Sequence, residues 1–190
     1  MRDSIERPRS RVTRQDRAIY DDAWIADFLR QAGMCTLATS VDDQPFQSTL
    51  LFVYDEAKHA IYLHKARRGR VWENLQTNPR VCFTVAEMGR LLPAKTALNF
   101  SVEYCSVVAF GDARLVEDLA ESEYALQLLL DKYFPHLRPG ENYRPITADE
   151  RDATAVYRLE VEEWSGKRKA AAEDFPGAFR WGDRPAAPLE

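Results

Sequence analysis

Cysteine is scarce in this 190-residue chain: Cys35, Cys82 and Cys105 lie far apart in apolar, strand-like runs and form no CxxC pair. An odd, dispersed set excludes a disulfide framework and points to reduced core thiols in a cytoplasmic protein. Glycine-rich nucleotide loops are missing too, both the GxGxxG fingerprint and the Walker-type phosphate loop, so a phosphate would have to be held by side chains. The histidines, His59, His64 and His136, sit on separate elements with no HExxH pair, and no metal site is expected. No serine stands in a GxSxG elbow, which leaves a hydrolase triad without support.

Long apolar runs are also lacking. None approaches the roughly 18 residues of a membrane-spanning helix, and the Arg-rich N-terminus has no apolar stretch behind it, unlike a secretory signal. Basic residues are outnumbered, 26 against 30, for a net charge of −4, which argues against general nucleic-acid binding. Neither a membrane nor a nucleic acid is an expected partner.

What is present reads as one globular domain, 45% hydrophobic and 29% charged, long enough for a sizeable core. Residues 1–20 carry six arginines and few large apolar residues, an arm expected to be disordered or to lie on a partner. The folded domain is expected over 21–169, followed by a tail over 170–190 in which Phe175 and Trp181 are candidate anchors. Asp21 and Asp22 cap a helix whose Trp24, Ile25, Phe28, Leu29 and Ala32 repeat with helical spacing up to Gly33. Strands are expected at Met34–Ser40, Phe46–Asp55, Ala60–His64, Val81–Ala86, Phe100–Val116 and Thr154–Trp164, with a loop over Met88–Ala97. Gly111, inside the long fifth strand, predicts a bulge or a close approach. Leu119–Tyr133 is a further helix, and Thr147-x-x-Glu150 has capping-box spacing. Short turns between most strands make neighbours antiparallel, so the fold is mainly β (α+β): a six-stranded barrel or coiled sheet with peripheral helices.

The stretch Ile61–Pro79 organises the site. A strand runs into His64, Lys65, Arg67, Arg68 and Arg70, then into a helix in which Val71 and Leu75 share a face beside Trp72, ending at Asn78-Pro79. Cations where a strand meets a helix N-terminus suit a phosphate; the same residues also suit a solvated basic turn. His64 faces a ligand or bonds the sheet edge. Tyr104 and Ser106 reach a flat ring or simply alternate on a strand, and Trp164 with Lys167 offers a stacking ring plus a cation or a plain strand end.

Taken together, ordered segments resemble the pyridoxamine 5′-phosphate oxidase-like flavin-binding split barrels, in particular the nitroimidazole-resistance type. They are Arg14-Gln-Asp16-Arg17, Cys35-Thr-Leu-Ala-Thr39, Tyr62-Leu-His64-x-Ala66-x-x-Gly69-Arg70, Glu87-Met-Gly-x-Leu-Leu-Pro93, Phe100-Ser-Val-Glu-Tyr104-x-Ser106, Tyr143-Arg-Pro-Ile146 and Trp164-Ser-Gly-Lys167. The resemblance implies an antiparallel six-stranded split barrel working as a homodimer, with FMN in clefts between subunits. It implies that Gln47, Ser48, Thr49 and Leu50 line the flavin ring and that His64 and Lys65 flank the ribityl chain. Arg68 and Arg70 would take the phosphate, with Arg67 as an alternate. Tyr104, Ser106, Trp164 and Lys167 would complete the site, the last two from the partner chain. The implied function is an FMN-dependent oxidoreductase, reducing nitroimidazoles or other nitroaromatics with His64 as proton donor. The alternative is a haem- or flavin-binding storage or sensing protein without turnover. The oxidase proper has a Ser-Arg-Lys run where this chain has Arg68-Gly69-Arg70, and its vitamin-binding residues are not matched.

Overall fold

The computed structural model describes residues 8–183. Nine strands form one antiparallel sheet. They are β1 (Ala18–Ile19), β2 (Cys35–Val41), β3 (Gln44–Leu50), β4 (Phe52–Asp55), β5 (Ala60–Ala66), β6 (Arg80–Leu92), β7 (Ser101–Leu115), β8 (Thr154–Lys169) and β9 (Phe179–Arg180). The main path runs β3-β2-β6-β7-β8-β5-β4, with β1 added to β8 and β9 to β6. The two ends of that path, β3 and β4, are consecutive in the chain and separated only by Leu51. The sheet therefore curls back through a kinked connection rather than through a closing ladder, and remains open. The expected single strand Phe46–Asp55 is these two pieces; counted as one, they leave six long strands and two short additions.

Four helices decorate the sheet: α1 (Asp22–Gln31), α2 (Arg70–Thr77), α3 (Leu119–Tyr133) and α4 (Ala148–Ala153). α1 and α4 start on the caps read from sequence, α3 on the further cap Asp118, and α2 without a side-chain cap. Asp21 accepts from the Trp24 amide, Asp118 from the Glu121 amide, and Thr147 with Glu150 forms a reciprocal capping box. Among the described residues no helix is long and apolar enough to cross a membrane.

Two apolar layers hold the fold. Inside the curl, Leu37, Phe52, Leu63, Phe83, Val107, Tyr157 and Leu159 are buried together with Ile25 and Leu29 of α1 and Val71 and Leu75 of α2. On the opposite face of β4, β5 and β8, Val53, Tyr62 and Val156 pack under Ala125 and Leu129 of α3. Strand β4 is buried at every position because both its faces are covered. Gly111 marks a bulge as its position predicts: the β7–β8 register shifts between Phe110 and Gly111. A Cβ there would lie 1.8 Å from the Glu160 carbonyl oxygen.

Three expectations are corrected. Met88–Ala97 is not a loop in its first half. β6 continues to Leu92 through an irregularity between Met88 and Leu91, paired with the start of β7, and the long ladder outweighs the poor strand propensity of Gly89. The arm, from residue 8 onward, lies on its own sheet: Arg9 pairs with Glu162 and Glu163, and β1 adds to β8 opposite Lys167 and Gly166. Gly166 permits this, since a Cβ would meet Trp24 at 2.8 Å and Ile19 at 3.0 Å. The tail, expected to anchor through Phe175 or Trp181 on the body or on a partner, is held to the body by β9 and by Arg90, and Trp181 is 78% exposed. Arg2 and Arg7, and Pro185 and Pro188, lie outside the described residues.

Candidate functional site

The expected site residues fall into three places. The first is the basic turn. Gly69 caps α2 with φ +93 and no side-chain cap bond, which leaves the first helical N–H groups facing outward beside the arginines. The turn is fixed from below: Asn74 Nδ2 donates to Thr39 Oγ1 at 2.8 Å, and Asn78 Nδ2 donates to the Ser40 carbonyl at 2.9 Å. Lys65 Nζ donates to Ser48 Oγ at 2.9 Å, and the Arg70 guanidinium lies 4.8 Å from the Phe46 ring centroid, bringing β3 to the turn. Arg67 is engaged elsewhere, donating to the Asp152 carbonyl at 2.7 Å. Arg68 is exposed and has no hydrogen-bonding or ionic partner among the described residues. Along β3, Phe46, Ser48 and Leu50 are half-buried or buried, while Gln47 and Thr49 point to solvent. The expected lining set Gln47–Leu50 is thus divided between two faces.

The second place is the far part of β7 and β8. Tyr104 and Ser106 share a face, and Lys167 lies directly across from Ser106. Arg17 Nη1 donates to the Tyr104 hydroxyl at 3.3 Å, and Lys167 Nζ stands 5.8 Å from the Tyr104 ring centroid. The Arg17 hydrogen bond, with Lys167 adding its charge, holds the Tyr104 phenol below its ordinary pKa. Trp164 is not part of this group. Its Nε1 donates to Asp22 at 2.7 Å and its ring meets those of Tyr54 and His59 at 5.4 and 4.6 Å, a packing role at the start of α1.

Ala66, at the basic turn, pairs with Thr154, and Lys167 is 13 residues further along the same strand. Across the other side of the sheet the route is shorter: Thr49 pairs with Thr36, Thr36 with Thr84, and Thr84 with Val108, two residues from Ser106.

The third place holds His64. Alternation along β5 puts Leu63 and Lys65 on one face and Tyr62 and His64 on the other, so His64 does not flank the same space as Lys65. It forms part of the wall of a pocket of about 460 Å³ under α3, with Leu51, Leu126, Leu129, Leu130, Phe134 and Ile146 as its apolar wall and Arg144 and Glu150 among its polar residues. Among the described residues His64 Nδ1 is buried without a hydrogen-bond partner. Burial lowers the imidazole pKa, which keeps the ring neutral with a lone pair available. The sequence reading missed this pocket. Its only sequence signals were the Tyr143–Ile146 segment and the Leu128-Leu129-Leu130 run, and neither says that His64 meets α3 there.

The family model described as pyridoxamine 5′-phosphate oxidase matches residues 21–168. A UPF0306 protein of Yersinia enterocolitica is 34% identical over 80 residues, 42% of this chain; the match spans about half (52%) of that relative's length. Among solved structures, the flavocytochrome Anf3 of Azotobacter vinelandii superposes with TM-score 0.74 at 26% identity, covering 96% of this chain and 89% of that one. A putative 5-nitroimidazole antibiotic resistance protein of Bacteroides thetaiotaomicron gives 0.66 at 22% identity, covering 80% and 86%. An FAD- and haem-binding protein of Mycobacterium smegmatis gives 0.72 at 21% identity, covering 82% and 74%. The last two likenesses speak for the fold alone.

Proposed function

The chain belongs to the pyridoxamine 5′-phosphate oxidase family, and from that premise we propose that it is a flavin-binding redox protein whose flavin phosphate sits at the basic turn. The observation that carries this reading is the uncapped start of α2 beside Arg70 and the unpartnered Arg68. Free N–H groups and two guanidinium forks supply charge-assisted donors to a phosphate. Lys65 and Ser48, already bonded to each other, are placed for the ribityl hydroxyls. As the resemblance suggests, the reading includes a homodimer in which a second chain completes each cleft. The bound flavin supplies the electron and hydride chemistry; these residues bind it and orient it.

FMN is the ligand that the basic turn by itself suits, and a nitroaromatic acceptor is the substrate class that the resemblance suggests. His64 is a poor proton donor for that reaction: it faces away from Lys65, and burial favours its neutral form. The test uses FMN and riboflavin, which differ only by the phosphate. Wild-type protein should bind FMN at least tenfold more tightly, and Arg68→Ala and Arg70→Ala should each remove most of that difference. Equal affinity for the two flavins in the wild type would sink the phosphate assignment.

A second cofactor is favoured by one observation, the unpartnered neutral His64 in a pocket walled largely by apolar side chains. Such a pocket suits haem, with His64 as iron ligand, the leucines against the macrocycle and Arg144 for a propionate. Haemin titration should give a sharp Soret band in wild-type protein and not in His64→Leu; a band of equal strength in both would remove His64 from the role.

A further inference from the structure

The interior of the curl changes character at its far end. Val107 of β7 and Val85 of β6 pair with each other and are buried. Two residues away on β7, Cys105 pairs with Glu87 on one side and with Arg168 on the other. Paired residues share a face, so an acid, a thiol and a base stand in line across three strands. The row lines a pocket of about 400 Å³, and Ala170, Ala171 and Glu173 of the tail line it too. The tail is fixed there: the Ala171 amide donates to Glu103 Oε1 at 2.8 Å, and Arg90 holds Glu103 and the carbonyls of Ala172 and Glu173. Gly89 makes room for that clasp, since a Cβ would lie 2.8 Å from the Glu103 Cβ. Of the charged side chains around the pocket, Arg90 and Glu103 satisfy each other and Lys169 donates to Ser101. Glu87, Glu173, Arg168 and Arg180 remain, and among the described residues none of their side chains makes an ion pair or a hydrogen bond. Neighbouring strands lie about 4.8 Å apart, so the backbones that carry Glu87 and Arg168 are roughly 10 Å apart, and the two side chains do not bond each other.

We propose that this pocket binds a short peptide with both termini free. Two unpaired acids and two unpaired bases favour a ligand that carries a charge of each sign over a simple anion or cation. Arg168 takes the terminal carboxylate with its forked donors, and Glu87 takes the terminal ammonium. An extended peptide spans about 3.3–3.6 Å per residue, so about two or three residues bridge the gap over Cys105. The charges of a single amino acid lie too close together to reach both ends. The small Cys105 side chain leaves height for the peptide backbone between them. The inference goes beyond the flavin reading and does not rest on it, because none of these residues belongs to the basic turn.

The experiment is a calorimetric titration of the full-length wild type, Glu87→Gln and Arg168→Gln with trialanine, N-acetyl-trialanine, trialanine amide and free alanine. Both substituted positions are exposed, and the melting temperature of each variant checks that the fold is kept. The wild type should bind trialanine, and should bind the two blocked forms and alanine about tenfold or more weakly, the loss expected of a charge-assisted bond. Arg168→Gln should bind trialanine and its amide equally while still preferring a free amine. Glu87→Gln should bind trialanine and its N-acetyl form equally while still preferring a free carboxylate. A wild type that does not bind trialanine, or that binds all four compounds alike, overturns the site. So do preferences for the free termini that survive in both variants.

Discussion

His64 and Lys65, adjacent in sequence, face opposite sides of β5: Lys65 bonds Ser48 beside the basic turn, and His64 joins the wall of the pocket under α3. One peptide bond separates two chemically distinct sites because side chains alternate across a strand. A flavin held at the turn and a group ligated by His64 would lie on either side of a single strand.

The His64 imidazole gives a pH signature. Burial places its folded pKa below the ordinary 6.5, so the unfolded chain binds a proton that the folded chain refuses. The stability associated with the neutral ring is present above about pH 6.5 and is lost as pH falls toward the folded value. Urea midpoints at pH 7.5 and 5.5 should differ less for His64→Leu than for the wild type. An identical acid loss in both would assign it to other groups.

Gly111→Ala should be severe. The new Cβ would press on the Glu160 backbone carbonyl, 1.8 Å away, at a bulge both long strands depend on. Overpacking against backbone costs about 1–3 kcal/mol or more. Gly33→Ala is the control: nothing lies within 4 Å of its Cβ position, and its denaturation midpoint should barely move.

Glu121 ties α3 to the sheet. Tyr62, Lys58 and Arg158 all converge on its Oε1, the latter two at 3.2 Å. The Tyr62 hydrogen bond, with help from Lys58, depresses its carboxyl pKa, so its contribution is present above about pH 4.5 and fades as pH falls through the lower folded value. Glu121→Leu leaves the Tyr62 hydroxyl and Arg158 short of acceptors and should cost about 1–3 kcal/mol at pH 7. Thermal melts that match the wild type would show that the apolar layer alone seats α3.

Arg90 fastens the tail. It pairs with Glu103 at 2.8 Å and donates to the carbonyls of Ala172 and Glu173 at 2.9 and 2.7 Å. With the Arg90 guanidinium beside it, Glu103 has its pKa pushed down to about 2, so the clamp should persist in mild acid. Arg90→Ala should open residues 171–180 to limited proteolysis while the barrel keeps its melting temperature. Unchanged digestion would mean that β9 suffices to hold the segment.

Much of the architecture was determined by sequence alone, for local reasons. Capping at Asp21 and Thr147, the helical spacing of apolar residues in α1, the glycine at the bulge and the short turns each act over a few residues and need no distant partner. The basic turn was legible on the same terms, because its cations and its helix start are contiguous. Tertiary structure decided what depends on where elements meet. Trp164 reads like a site residue until Asp22 and Tyr54 are found beside it. Arg17 lies 87 residues from Tyr104, and no periodicity links them. The pocket at His64 is walled by residues of α3 and of the 143–154 stretch, segments more than 50 residues away in the chain. Spacing in the sequence sets which face a side chain takes; only the folded sheet sets what stands opposite that face.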